Sequence, residues 1–126
     1  MYNHTCVPPR TVHVSARLHG SELERDLTTV GLRVLSSDTP LDVDVVCATG
    51  FGVVWIQENE VLDEDEVGLR ARFDRVSKYT HPSVVMVRTP TVEQEFVRIQ
   101  DIASIGFRLP VYAVPASIDA ARFIQV

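Results

Sequence analysis

The hydrophobic and polar positions along the chain divide it into short strands that alternate with amphipathic helices. The strand-like segments either alternate apolar and polar residues or form continuous apolar runs bounded by turn residues. The run that contains Trp55 is continuously apolar, as is typical of a strand buried on both faces. Strands are predicted at Thr11–Ala16, Leu32–Ser36, Val43–Cys47, Gly52–Ile56, Ser83–Val87 and Leu109–Ala113.

Between these strands, apolar residues recur three or four positions apart, which predicts helices. Ser21 is followed three residues later by Glu24, a capping box that opens the first helix, and Gly31 ends it. In the second helix the sequence His81-Pro82 is the predicted break. Helices are predicted at Ser21–Thr29, Asp63–Lys78, Thr91–Ile105 and Ser117–Gln125.

The predicted apolar stripes are Leu23, Leu27 and Val30 in the first helix, Leu69, Phe73 and Val76 in the second, and Val92, Phe96, Ile99 and Ala103 in the third. Strands that alternate with helices of this length predict right-handed crossovers and a mostly parallel sheet with helices on both faces. The expected fold is therefore a three-layer α/β sandwich.

Composition and charge narrow the class of protein. A chain of 126 residues has room for one domain, and we expect a flexible leader over residues 1–10 and a single domain over 11–126. The net charge of −5 argues against coating DNA or membranes by bulk electrostatics. Cys6 and Cys47 are too few for a disulfide framework, and no secretion signal or membrane span is recognisable. The chain is expected in the cytosol or nucleus.

The sequence contains no recognisable catalytic or cofactor motif. The histidines have no metal-ligand spacing and are expected at the surface: His4, His13, His19 and His81. Gly50-Phe51-Gly52 precedes a strand instead of a helix, so we interpret it as a tight turn and not a phosphate loop. The acidic run from Glu58 to Glu66 is interpreted as a solvated turn before the second helix. No cofactor and no small-molecule substrate are expected.

Two surface features suggest binding. Four cations come from the second helix, namely Arg70, Arg72, Arg75 and Lys78. They form either a nucleic-acid surface or an ordinary solvated helix face with i,i+4 ion pairs.

In the last helix, Ile118, Ala121 and Ile124 share the predicted inner side, which leaves Phe123 and Val126 on another side. These two residues are candidate partner contacts, and Ile105 and Phe107 are expected to extend the same patch. An apolar residue outside the core stripe can also occur by chance.

Several local strings occur in a fixed order: Ser15–Leu18 with Glu22 and Leu27, Ser37–Asp38, Thr49–Ile56, Glu60–Leu62, Arg98–Gln100 and Leu109–Val111. This ordered set resembles the nuclease-like domain of the XPF and excision-repair-partner superfamily over Ser15 to Val126. Within that superfamily the chain is most similar to the meiotic sporulation-specific protein sixteen family. Active members carry an acid at the end of one strand and a Glu-Arg-Lys-x-x-x-Asp string on the next. The matching strand here has Trp55, Ile56 and Gln57, and Val61 takes the place of the last Asp, so the resemblance implies a pseudonuclease.

The resemblance also implies a function. Such proteins are the non-catalytic half of a heterodimer with an XPF-like meiotic partner, recognise branched DNA as a complex, and promote crossover formation and synapsis on meiotic chromosomes in the nucleus. An alternative is the small Fanconi core-complex subunit that pairs with a helicase, which is similar around Glu93–Phe96 and Leu109–Val111 and carries helix-hairpin-helix units after this domain. A third possibility is an unrelated α/β binding domain or enzyme.

Overall fold

The computed structural model describes residues 11–36, 43–47, 51–63 and 65–125. The strands are β1 (Thr11–Val14), β2 (Arg33–Ser36), β3 (Val45–Cys47), β4 (Phe51–Ile56), β5 (His81–Val87) and β6 (Val111–Val114). The helices are α1 (Glu22–Thr29), α2 (Glu58–Leu62), α3 (Glu66–Val76), α4 (Glu93–Asp101) and α5 (Ser117–Gln125). Single 3-10 turns lie at Ala16–Leu18 and Pro90–Val92, and a π-helical turn, Ile102–Gly106, follows α4.

The strands form one sheet in the order β2-β1-β3-β4-β5-β6. Neighbours are parallel except at β3, which is antiparallel to both β1 and β4. Residues 48–50 alone separate β3 from β4, and a connection that short can join only antiparallel strands. All strands other than β3 therefore run in the same direction. Their starting ends form one edge of the sheet, called the amino edge below, and their finishing ends form the carboxyl edge.

Helices cover both faces of the sheet and create two core layers, so the predicted α/β sandwich is confirmed. In β4 the side chains of Val53 and Trp55 pack into the layer beneath α1 and α5. Those of Val54 and Ile56 pack into the layer beneath α2, α3 and α4. The period-2 geometry of a strand sends alternate side chains to opposite faces, which is why a strand covered on both faces is apolar throughout.

Local signals in the sequence account for the ends of α1. The Ser21 hydroxyl accepts a 3.2 Å hydrogen bond from the Glu24 N–H, as the capping box predicts. The Glu24 carboxylate accepts in return from the Gly20 N–H at 3.0 Å, and this backbone hydrogen bond lowers the pKa of Glu24. Gly31, at φ 96°, has the left-handed conformation that ends a helix.

Two local predictions were wrong, at α2 and at β5. The acidic run is not merely a turn, because Glu58–Leu62 forms helix α2 and buries Val61 against the sheet. The strand β5 begins at His81 itself, two residues earlier than predicted, with Pro82 paired to Gly52 in the ladder. Pro82 is tolerated near the start of the strand, where its missing N–H costs least.

Gly52 lies within β4, as the predicted strand Gly52–Ile56 requires, and not in the tight turn predicted from Gly50-Phe51-Gly52. A Cβ atom at this position would lie 2.6 Å from the ring of Tyr79, so glycine is required by the close packing of that ring on the strand. The residue is thus a packing feature of the core at the amino edge.

Other predictions fall on residues outside the described ranges: the leader over 1–10 with His4 and Cys6, Gly50, and Val126. No helix in the described ranges combines the length and the apolar character that a membrane crossing requires.

Candidate functional site

A cluster of four charged side chains lies at the carboxyl edge of the sheet, centred on Asp44. Asp44 precedes β3 and is buried, at 5% relative exposure. One of its oxygens, Oδ2, accepts hydrogen bonds from the Trp55 N–H and from Arg72 Nη2, each at 2.7 Å. Arg72, on α3, also donates to the Trp55 carbonyl at 2.8 Å. The Arg72 guanidinium thus connects helix α3 to strand β4 through the buried carboxylate.

A second arginine and a second acid complete this ion-pair cluster. Arg17 donates to Asp44 Oδ1 at 2.6 Å and to Glu60 Oε2 at 3.3 Å. Glu60, on α2, accepts from Arg72 at 3.0 Å through the same oxygen. Partial burial alone would lower the pKa of Arg17, but the charges and hydrogen bonds of Asp44 and Glu60 outweigh it and raise the pKa above its usual value.

The chemistry of this ion-pair cluster follows from its charge balance. Two carboxylates face two guanidinium groups, so the formal charges cancel within the cluster. A divalent cation binds to carboxylate oxygens that are free of other cations. In this chain both oxygens of Asp44 are engaged by arginine, and Val61, which follows Glu60 in the chain, is fully buried in the core. The arrangement is suited to holding α2, α3 and the sheet together.

The four cations predicted to contact nucleic acid lie on α3 and just after it, but in different environments. The side chain of Arg72 is only 17% exposed and belongs to the ion-pair cluster, so it is not a surface cation as predicted. Arg70 pairs with Glu66 at 3.0 Å, and Lys78 lies 3.8 Å from Asp74. Arg75 is exposed, with interactions of its own. Only Arg70, Arg75 and Lys78 remain accessible candidates.

The residues predicted to bind a partner do not form one patch. Phe107 is half-buried and makes an edge contact with Phe73, 5.9 Å between ring centroids, in the core layer of α3 and α4. Ile105 lies in the turn after α4 and is 77% exposed. Phe123 lies on α5, whose buried residues belong to the opposite core layer. Ile105 and Phe107 therefore cannot extend a patch centred on Phe123, because the sheet separates them.

The inner side of α5 also differs in detail from the prediction. Ala121 and Ile124 are buried as predicted, but Ile118 is only half-buried and Ala120 takes its place in the core. Phe123 is 36% exposed and lies outside this core, with its ring 4.4 Å from that of Tyr112 on β6.

Phe123 forms one wall of a cavity of about 410 Å³ at the amino edge. A second ring pair, Phe51 and His81, forms another wall, with centroids 4.5 Å apart. Arg108 also lines the cavity, and its backbone has φ 56°, the one positive φ among the described residues other than glycine. These residues form a pocket, called the amino-edge pocket below.

The sequence patterns missed Arg17, Glu60 and Arg108. For the first two a signal exists: Asp44 stands between Val43 and Val45, and a charged residue in an apolar run requires a buried partner. No pattern indicates Arg108, because the amino-edge pocket is assembled from residues far apart along the chain.

No family model and no curated protein sequence matches this chain. Among the solved structures similar to it are XPF from Aeropyrum pernix in complex with DNA, and XPF from Aeropyrum pernix. Each has a TM-score of 0.70 and 14% sequence identity, and they cover 92% and 91% of this chain. The chain spans 62% and 58% of the length of those structures. The chain has the fold of the XPF nuclease domain.

Proposed function

We propose that this chain is the non-catalytic subunit of an XPF-like heterodimer that recognises branched DNA and promotes crossover formation and synapsis on meiotic chromosomes. The proposal joins the XPF-like fold to the resemblance to the meiotic sporulation-specific protein sixteen family. It has three parts, namely absence of nuclease activity, a partner surface and DNA recognition by the complex.

The ion-pair cluster is the observation that carries the non-catalytic part. A metal-dependent nuclease needs carboxylates that are free to hold Mg²⁺. Here Arg17 and Arg72 hold Asp44 and Glu60 at distances of 2.6–3.3 Å. If Asp44 served a metal, Arg72, whose side chain is 17% exposed, would lose its buried partner, at a cost of several kcal/mol.

The exposed ring pair on α5 and β6 supports the partner part. Tyr112 is 40% exposed and Phe123 is 36% exposed, so both rings leave apolar area in contact with water. Adjacent half-exposed aromatic rings are typical of residues that a partner buries. We propose Phe123 as the central contact, and Ile105, on the other side of the sheet, as a separate one.

The DNA part rests on the structural neighbour that was solved in complex with DNA. The net charge of −5 predicts that the isolated chain offers few phosphate contacts. We therefore propose that the complex binds branched DNA and that Arg75 and Lys78 contribute phosphate contacts. Arg75→Glu with Lys78→Glu should weaken DNA binding by the complex and make its salt dependence shallower. Unchanged binding would exclude this surface.

Nuclease activity is tested with flap, fork and duplex substrates in Mg²⁺ or Mn²⁺. The expected result for the purified chain is no cleavage above buffer. Cleavage that is lost in Asp44→Ala but retained in Arg70→Ala would contradict the proposal, because it would assign metal binding to the ion-pair cluster.

Partner binding is tested by affinity purification from germ-line tissue and from dividing somatic tissue. The expected result is an XPF-like meiotic protein from germ line, lost in Phe123→Asp and retained in Val97→Asp. Val97 is a suitable control because it is a similarly exposed apolar residue, 43%, on α4 at the opposite face. Both variants are checked by circular dichroism. Recovery of a Fanconi-type helicase from somatic tissue instead would favour the alternative family.

A further inference from the structure

The amino-edge pocket combines aromatic walls and an apolar floor with a positive charge. Its aromatic walls come from three different strands and α5, and its floor includes the buried side chains of Val53 and Ile124. Within the described part of the chain no Asp or Glu lines it, although the protein as a whole has a net charge of −5. As far as the described residues line it, the pocket is thus an apolar recess without acids, in a protein that is acidic as a whole.

Arg108 gives this pocket its charge. It is exposed, and in the described ranges no carboxylate or carbonyl pairs with it, whereas Arg17, Arg70, Arg72 and Arg88 all have acidic partners. Its φ of 56° is a conformation that residues with a side chain adopt rarely and at a cost. A glycine would adopt this conformation at a lower cost, and this chain has an arginine there in spite of the backbone strain.

We propose that the amino-edge pocket binds a short acidic segment of a partner protein, with a bulky apolar side chain between the aromatic walls and a neighbouring carboxylate on Arg108. An apolar floor favours a side chain that brings no hydrogen-bonding groups, because a buried polar group without a partner is costly. A guanidinium without a partner among the described residues favours a carboxylate, to which arginine can donate two parallel hydrogen bonds. The apolar floor thus accounts for the bulky apolar side chain of the expected ligand, and Arg108 accounts for its carboxylate.

An unpaired nucleobase fits this pocket less well. Its polar edges would lose their hydrogen bonds to water against Val53 and Ile124. A nucleic-acid strand also presents phosphates at regular intervals and needs a track of cations, whereas Arg108 is the one arginine or lysine among the described lining residues. The chemistry therefore favours a peptide.

This inference rests on the proposed function in one respect, since it takes the occupant from a partner protein. The pocket is tested without knowledge of that partner, by selecting displayed random 12-residue peptides on the wild-type chain, on Arg108→Glu and on Arg33→Glu. Arg33 is a matched control because it is also exposed, at the amino end of β2 on the far side of the sheet. All three proteins are first compared by circular dichroism and thermal melting.

The wild type and Arg33→Glu are expected to select the same pattern, a Phe, Trp or Leu with Asp or Glu close by. Arg108→Glu should instead select Lys or Arg beside the apolar residue, because the charge at the rim is inverted. A synthetic peptide from the wild-type selection should bind Arg108→Glu about tenfold or more weakly, as expected for loss of a charge-assisted hydrogen bond.

Three outcomes would overturn the inference: no enriched peptide, a pattern that Arg108→Glu leaves unchanged, or displacement of the peptide by a ten-nucleotide thymidine oligomer. The last would assign the pocket to an unpaired base. Recovery of the XPF-like partner is measured with the same variants. If peptide selection fails but the XPF-like partner is still recovered, only the pocket proposal is refuted. If peptide selection succeeds but no XPF-like partner is recovered, only the proposed function is refuted.

Discussion

Replacing Arg72 by alanine tests the ion-pair cluster directly. The substitution removes one guanidinium that donates to Asp44, to Glu60 and to the Trp55 carbonyl, at 2.7, 3.0 and 2.8 Å. The change leaves helix propensity almost unaffected, because arginine and alanine are both good helix formers. Any large loss of stability must therefore come from the groups that the guanidinium contacts.

The expected loss is about 3 kcal/mol. Breaking a buried ion pair by removing one partner costs about 3–5 kcal/mol, because the other charge is left buried. The lower end of this energy range applies to Arg72→Ala, because Asp44 keeps its hydrogen bonds from Arg17 and from the Trp55 N–H. In addition, the Glu60 side chain is 21% exposed and can be hydrated. With an m-value of about 1.5 kcal/mol/M, the urea midpoint should fall by about 2 M.

Urea denaturation followed by circular dichroism measures this loss, with Arg70→Ala as the matched control. Arg70 is on the same helix, but its pair with Glu66 is half-exposed, and such pairs contribute about 0.3–0.5 kcal/mol. Asp44→Ala combined with Arg72→Ala should cost less than the sum of the two single variants, because the pair interaction is lost only once. If Arg72→Ala costs no more than Arg70→Ala, the ion-pair cluster is solvated and the reasoning is wrong.

Three further predictions concern stability. Gly52→Ala should destabilise the fold by about 1–3 kcal/mol in urea melts because its Cβ would meet the Tyr79 ring, and Tyr79→Leu should relieve much of that cost; a neutral Gly52→Ala would contradict the packing. Arg108→Gly should raise the free energy of unfolding by about 1 kcal/mol, because glycine adopts the positive φ without strain, and it should weaken peptide binding. A loss of stability would mean that the Arg108 side chain stabilises the fold. Because the folded pKa of Glu24 is lowered by the Gly20 N–H, its contribution to stability is present above the unfolded pKa of about 4.3 and is lost as pH falls through the folded value. Thermal melts from pH 7 to pH 3 should therefore show a smaller acid loss for Glu24→Gln than for wild type, and equal losses would exclude this linkage.

The sequence by itself determined the layered architecture and the elements other than helix α2. The continuous apolar run through Val53 and Val54 is long enough for a strand and too short for a helix, and it reaches both core layers because alternate side chains point to opposite faces. The stripe of Leu69, Phe73 and Val76 is buried as its spacing predicts. Such patterns can be recognised in the sequence because they involve residues only a few positions apart. The relative geometry of these residues is set by the helix or strand itself.

Only the tertiary structure decided which distant residues meet. Arg72 and Arg70 look alike in the sequence, two cations on one amphipathic helix, yet one is enclosed by Asp44 and Glu60 and the other pairs with Glu66 at the surface. The difference depends on where α3 crosses the sheet, since the partner of Arg72 is 28 residues away along the chain.

The same reason explains the partner surface. Phe107 and Phe123 are both aromatic residues beside the last strand, and the sequence pattern places them together. In the fold they lie on opposite faces, because the chain passes through the sheet at β6 between them. The amino-edge pocket likewise exists only where β4, β5, β6 and α5 converge. Periodicity assigns each residue to a face of its own element, but the packing of elements decides which faces meet.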